Sequence, residues 1–533
     1  MKKIIKIIPW FLLGGAFLLL VLLNALYQLH WLDSDMAAEM MFSKLLAEEG
    51  RIFAAPDWYY STEFRFLYTQ LVMGPLFRVM DDWHLIRTIT NIVFYLLLLA
   101  SYYYFMKPFQ VKKGLVVLSS VILLLPFSET MMTHVQMGNT YMPHMIIVFL
   151  FFGMFLRLAA GEAIGKIRRM EIICFYTALA VICGISGVRY LFVLQCPLVL
   201  AAFLYVLRSK PFGVLRRELS KEHFRAVLRA EECRYFGYSV LGIAGSVAGY
   251  AVNVLYISRK YVFQTYESTL FIPIYQGELF DRLQNAVGCL LMLFGYIPEK
   301  GVLSLRGVVT LAAFALLGVL VWCGVRAFRD TAGKRFFTVL FLGTAFCVNF
   351  FVFVFTTSTM VPRYYLTIFI FTLPVLCFYL EGSHPRLDKL AVTALLGGCL
   401  LLGTAKVTLS FVTVDKNESK YRVAEFLQDE GYHFGFATYT NGNIITEITN
   451  GAVEIGNIGD PEYLEYFTWS SPMKYYEEDY WEGEAFLLLT AEEEREYAEA
   501  PALQTGEKIY EDGCYSVYLF ESVRALKDCA VQR

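Results

Sequence analysis

Directly after the first apolar run of the chain stands Trp31-Leu-Asp33-Ser-Asp35-Met-Ala-Ala-Glu39, which gathers three carboxylates in one short stretch. On a helix Asp35 and Glu39 share a face, where like charges repel by roughly a few tenths of a kcal/mol unless something cationic or catalytic faces them. One reading is local: Ser34 or Asp35 caps the helix, and carboxylates suit its positive end. The other is chemical: Asp35 or Asp33 acts as a general base, taking a proton from an acceptor hydroxyl or amine as it attacks a sugar carbon, a step worth about 10² to 10⁴ in rate. The Asp-x-Asp pattern could also hold a divalent cation.

Two arginines stand where charge is expensive. Arg189 lies in Gly187-Val-Arg-Tyr190 between two apolar runs, and Arg363 lies in Pro362-Arg-Tyr364-Tyr365 at the start of another. An ionised side chain at a membrane boundary needs a partner to offset desolvation. A lipid phosphate is one such partner, because guanidinium offers a rigid fork of donors and stays charged while a leaving group gains negative charge. The alternatives are snorkelling to the interface or pairing with an aspartate. Lys406 and Arg259-Lys260 read as snorkelling side chains.

Glu129, His134, Gln136, Asn139 and His144 crowd one short connection. His134 and Glu129 could be metal ligands or secondary acid/base groups, although polar residues in a turn need no such role. Asp57-Trp58-Tyr59-Tyr60 could stack on a sugar ring or anchor an interface. No Walker A, GxGxxG after a strand, HExxH or GxSxG pattern is present, which leaves ATP-driven transport, dinucleotide chemistry, zinc proteolysis and α/β-hydrolase catalysis without support.

The elements that must position these groups are mostly apolar. Of 533 residues, 57% are hydrophobic and 16% aromatic, values of a chain whose solvent is largely lipid. Runs long enough to cross the hydrocarbon layer lie at about 7–29, 85–105, 114–128, 142–158, 171–187, 190–207, 236–257, 306–325, 336–357, 363–380 and 390–412. These describe an α-helical polytopic membrane protein of about 11 transmembrane helices. With the N-terminus cytoplasmic, Lys2-Lys3, Lys112-Lys113, Arg168-Arg169 and the basic run from Arg208 to Arg234 fall inside, as the positive-inside rule demands. An odd number of spans then places the C-terminal end outside. From Thr413 onward 9 Lys and Arg face 25 Asp and Glu, against 37 and 23 before it. That asymmetry argues for two compartments rather than a nucleic-acid partner.

The boundaries expected are thus 1–412 for a transmembrane domain and 413–533 for an acidic extracytoplasmic domain. The latter reads as a small α/β unit: a helix near Glu418 to Glu430, a strand Phe434 to Tyr439, a helix near Ile444, a strand Ala485 to Leu489, a capping box Thr490 to Glu493, and strands near Ile509 and Tyr515 to Phe520. Among the outer segments, Ser34 to Glu49 suggests a helix along the membrane surface. Leu279 to Pro298 reads as re-entrant or interfacial because its uncharged part is too short to span. The eleven cysteines read mostly as small buried hydrophobes.

In layout the whole chain resembles the polytopic type C glycosyltransferases, which include protein O-mannosyltransferases and aminoarabinose transferases. The resemblance rests on Asp33-Ser-Asp35 with Glu39 in a large first outer loop, on Gly-Val-Arg189-Tyr closing paired middle spans, on a re-entrant segment, on Arg363-Tyr364 opening a late span, and on a soluble outer domain. It implies that Asp35 or Asp33 is the catalytic base. It implies equally that Arg189 and Arg363 hold the phosphate of a polyprenyl-phosphate sugar donor, and Glu39, Tyr364 and His134 are taken beside them as further substrate-binding candidates. The adjacent Asp-Glu pair of the mannosyltransferases is absent, as is an acceptor-recognition motif, so the acceptor is an unassigned envelope glycan or lipid. No cofactor is required if arginine neutralises the leaving phosphate. Nucleotide sugars are cytoplasmic, so an outer transferase needs a lipid-linked donor. Two rivals remain: a lipid-linked saccharide transporter or flippase, which should show paired broken spans, and a non-enzymatic envelope assembly protein.

Overall fold

The computed structural model describes residues 2–138, 140–161, 165–208, 230–264, 269–273 and 277–531, with side chains from residue 7 onward. Asn139 and most of the basic run between Arg208 and Arg234 lie outside the described residues. Among the described residues eight helices are long and apolar enough to cross a membrane. Two further pairs bend at a break, Lys113–Leu124 with Glu129–Met137 at 88° and Pro362–Phe369 with Thr372–Glu381 at 41°, and counting each pair as one span gives up to ten by length and composition. The remaining expected run, 171–187, lies in the 20-residue helix Lys166–Ile185, whose first turns carry Lys166, Arg168, Arg169 and Glu171 and so keep it out of that count. The connection expected from Glu129 to Tyr141 is itself largely helical, and Met132–Met137 winds as a π turn.

The chain forms two compact units. The first comprises Met1–Val21, Val93–Leu255 and Glu267–Ser410, and the second comprises Leu22–Ile92, Tyr256–Tyr266 and Phe411–Arg533. The core of the first is aromatic. Phe152 packs on Phe341 and Phe371 with ring centroids 4.7 and 5.0 Å apart, and Phe105 meets Phe149 at 5.3 Å. Small residues bring two of its helices into backbone contact, since a Cβ at Gly184 would lie 1.9 Å from the Ser246 carbonyl oxygen and one at Gly249 would lie 2.0 Å from that of Val181. Ser246 also donates to the Ala180 carbonyl at 2.9 Å. Such close approach gives helices in lipid their packing energy. The segment expected to be re-entrant carries the helix Leu279–Leu293.

The second unit joins the exit of the first apolar helix to the C-terminal sheet. Asn417 donates to the Leu29 and Leu32 carbonyls at 2.8 and 3.0 Å, and Trp31 stacks on Phe411 at 5.4 Å. Five strands run in the order Glu454–Ile458, Phe434–Thr438, Ala485–Thr490, Tyr515–Phe520, Glu507–Glu511. The first three are parallel and the last two pairings antiparallel. The helices Glu418–Asp429 and Tyr439–Ile448 and the capping box at Thr490 and Glu493 stand where the sequence places them. The strand Glu454–Ile458 was not expected; its glycine and asparagine obscure the pattern of a buried parallel strand. Trp58–Tyr60 is the middle strand of a second, small sheet. Trp58 and Tyr60 are buried there against Phe42 and Phe263, so these two rings build the core rather than offering a stacking face.

Candidate active site

In the second unit the acidic motif opens a helix, Ser34–Glu48. Its cap is Asp33, not Ser34 or Asp35: Asp33 is extended and its carboxylate accepts from the Met36 backbone N–H at 2.8 Å. Asp35 therefore sits in the first turn, near the positive end of the helix. There its carboxylate accepts a hydrogen bond from the Tyr439 hydroxyl at 2.9 Å.

One turn on, Glu39 is buried and accepts from Arg65 at 2.6 Å and from Thr69 at 3.1 Å. Burial pushes its carboxyl up to about 7, against the opposing pull of Arg65, Arg87 and hydrogen bonds from Tyr68 and Thr69. Burial also works against the charge on Arg65, but Tyr68, Glu39, Glu63 and Asp35 outweigh it and hold the guanidinium above its usual range. Arg65 is thus the cation that Asp35 and Glu39, sharing a face, require. The sequence reading missed it, although an arginine inside the aromatic run Phe64-Arg-Phe66 was a signal.

A second feature missed from sequence holds this helix in place. Arg87 and Glu447, both fully buried, pair through two hydrogen bonds of 2.8 and 2.6 Å, and Arg87 donates also to the Met36 carbonyl at 2.9 Å. Glu447 is the single charge in its helix Tyr439–Ile448, and a lone charge among apolar and amide residues marks a buried partner.

In the first unit Arg189, Arg363, Tyr364 and His134 gather around one residue, Tyr141. Arg189 donates to the Tyr141 hydroxyl at 2.6 Å. Its guanidinium lies over the rings of Tyr141 and Tyr364 at 4.9 and 5.7 Å. Burial raises the Tyr141 hydroxyl, Arg189 and Arg363 oppose the rise, and Tyr364 adds to it. Arg189 thus bonds this oxygen directly, while Arg363 acts on it through its charge. The His134 ring stands edge-on to Tyr141 at 6.1 Å, and His144 shares a 2.7 Å hydrogen bond with the Tyr190 hydroxyl. Gly187, at φ +120°, makes the turn that presents Arg189, a conformation only glycine adopts without strain. A π turn follows at Leu191–Gln195, as one surrounds His134, and such turns recur at functional sites. Among the described residues no group of three or more His, Cys, Asp or Glu is arranged to hold a metal ion.

Apolar helices long enough to span a membrane, with two further pairs bent at a break, together with a helix opening on the acidic motif and a small α/β domain, make a fold shared with solved structures of ArnT. Two solved structures share it over nearly the whole chain. ArnT from Cupriavidus metallidurans bound to undecaprenyl phosphate superposes with a TM-score of 0.56, covering 98% of this chain and 99% of that one at 12% identity. The same protein in the apo state gives 0.54, with 97% and 98% covered at 12% identity. No protein-family model and no curated protein sequence matches the chain.

Proposed function

We propose that this multi-pass membrane protein is a glycosyltransferase that moves a sugar from a polyprenyl-phosphate donor to an extracytoplasmic glycan or lipid. The observation that carries this reading is the convergence of Arg189 and Arg363 on Tyr141. Two guanidinium groups distant in the chain, that of Arg189 lying over two tyrosine rings, make a site for an anion whose charge grows during reaction. Asp35 takes the proton of the acceptor hydroxyl or amine as its oxygen or nitrogen attacks the anomeric carbon. The sugar–phosphate C–O bond breaks, and its electron pair leaves on the phosphate oxygen, where Arg189 and Arg363 hold it. The shared fold with a structure bound to undecaprenyl phosphate supports that class of carrier. The basic pairs Lys2-Lys3, Lys112-Lys113 and Arg168-Arg169, set on one side by the alternation of spans, support a cytoplasmic N-terminus and an outer C-terminal domain.

The test is a panel of undecaprenyl-phosphate sugars offered to the detergent-solubilised protein with a cell-envelope extract, reading free undecaprenyl phosphate by mass spectrometry. Asp35→Asn abolishes release; full activity in both Asp35→Asn and Asp33→Asn would remove the base assignment. Cys514 is an exposed free thiol, so a membrane-impermeant maleimide labels it in intact cells if the domain lies outside. The broken helix pairs favour one second reading, a lipid-linked saccharide transporter. A transporter would move its substrate without releasing the carrier phosphate.

A further inference from the structure

The C-terminal α/β domain is acidic and soluble, and its layout alone gives it no part in the chemistry. Its sheet topology suggests otherwise. Phe434–Thr438 is the middle of three parallel strands, with Glu454–Ile458 on one side and Ala485–Thr490 on the other. The chain passes to one neighbour first and then crosses to the other, so the carboxyl end of Phe434–Thr438 is a topological switch point. That is the place where α/β sheets present groups to ligands.

The residue that emerges there is Tyr439, first of the helix Tyr439–Ile448. Its turn is tied by Thr438 donating to Glu493 at 2.7 Å and by Asn441 donating to Thr438 at 2.9 Å. Its ring packs edge-on against Phe467 at 5.6 Å. Its hydroxyl donates to Asp35 at 2.9 Å. The Arg87 and Glu447 pair then locks the same helix, two turns on, to the carbonyl of Met36, the neighbour of Asp35. The tyrosine hydroxyl and the carboxylate are therefore fixed at both ends of their contact.

We infer that Tyr439 is a positioning residue for the transfer reaction, through which the C-terminal domain orients the Asp35 carboxylate toward the acceptor. The inference rests on the reading of Asp35 as the base. A hydrogen bond to a charged group in a preorganised site is worth about ten- to a hundred-fold in rate. Tyr439→Phe keeps the ring against Phe467 and removes only the hydroxyl.

In the undecaprenyl-phosphate release assay, Tyr439→Phe is expected to lower kcat about ten- to a hundred-fold, with KM for donor and unfolding temperature unchanged. In an Asp35→Asn background it should add no further loss, because the hydroxyl acts only through that carboxylate. An active Tyr439→Phe beside an inactive Asp35→Asn overturns this inference and spares the base assignment. A further loss in the double variant also overturns it, showing that Tyr439 acts elsewhere. An active Asp35→Asn, or no turnover of any donor in the panel, removes the base reading and this inference with it.

Discussion

Arg87 and Glu447, 360 positions apart in the chain, meet as a fully buried bidentate ion pair with distances of 2.8 and 2.6 Å. Through Met36 the pair also holds the helix Ser34–Glu48, so one contact joins an apolar helix, the acidic motif and the C-terminal domain. Arg87→Ala leaves a carboxylate buried without its partner and should cost about 3–5 kcal/mol. Replacing both, as Arg87→Met with Glu447→Leu, should cost less than Arg87→Ala alone. Thermal unfolding of the detergent-solubilised variants measures both. Equal stability of Arg87→Ala and the wild type would show that the pair contributes nothing.

Glu39 makes stability depend on pH in an unusual direction. Its carboxyl rises from 4.5 to about 7 in the folded protein, with burial the largest cause. Between those values the folded state keeps a proton that the unfolded chain has released. The contribution is therefore complete below about 4.5 and is lost as pH rises through about 7, by on the order of 3 kcal/mol. Glu39→Gln should flatten that part of the profile. Unfolding midpoints of the two proteins between pH 5 and pH 8 decide it, and parallel slopes would mean that Glu39 does not titrate there.

The arginine cluster predicts a graded loss of carrier binding. Undecaprenyl phosphate should raise the unfolding temperature of the wild type, and Arg363→Ala or Arg189→Ala should weaken the titrated affinity about tenfold or more, the worth of a charge-assisted contact. Arg189→Lys should recover only part of it, since a point charge cannot both reach the Tyr141 hydroxyl and lie flat over two rings. Unchanged affinity in both alanine variants contradicts the phosphate role.

Gly184 and Gly249 predict a packing effect without a chemical one. A side chain at either position meets backbone oxygen at about half of van der Waals distance, and helices in lipid have no hydrophobic force to restore the contact. Gly184→Leu should separate the helices Lys166–Ile185 and Glu231–Val252 and sharply lower the yield of monodisperse protein. Gly237→Ala, where a Cβ meets nothing, is the control. Normal yield and unfolding temperature for Gly184→Leu would show that this contact is dispensable.

The acidic motif shows how far a sequence reading reaches. A helix from Ser34 was legible because carboxylates and a polar cap precede an apolar run, but which of Asp33, Ser34 and Asp35 caps it was not. All three can accept a backbone N–H, and only the extended backbone at Asp33 decides. The need for a cation opposite Asp35 and Glu39 was likewise legible from charge repulsion, while its identity as Arg65 was not. The kinship of Arg189 and Arg363 was legible because charge at a lipid boundary demands a reason. Tyr141, the residue on which they converge, carried no such mark among the chain's 35 tyrosines.

By itself the amino-acid sequence determined the solvent, the repeated spans, the acidic α/β end and the positions where ionised groups are costly. Those follow from composition and local periodicity, which act over one or two helical turns. Tertiary structure alone decided that Tyr439 reaches Asp35, that Arg87 pairs with Glu447, and that two apolar runs bend into broken helices. Contacts between residues hundreds of positions apart depend on how whole elements pack, and no local pattern encodes which buried hydroxyl or carboxylate a given side chain will meet.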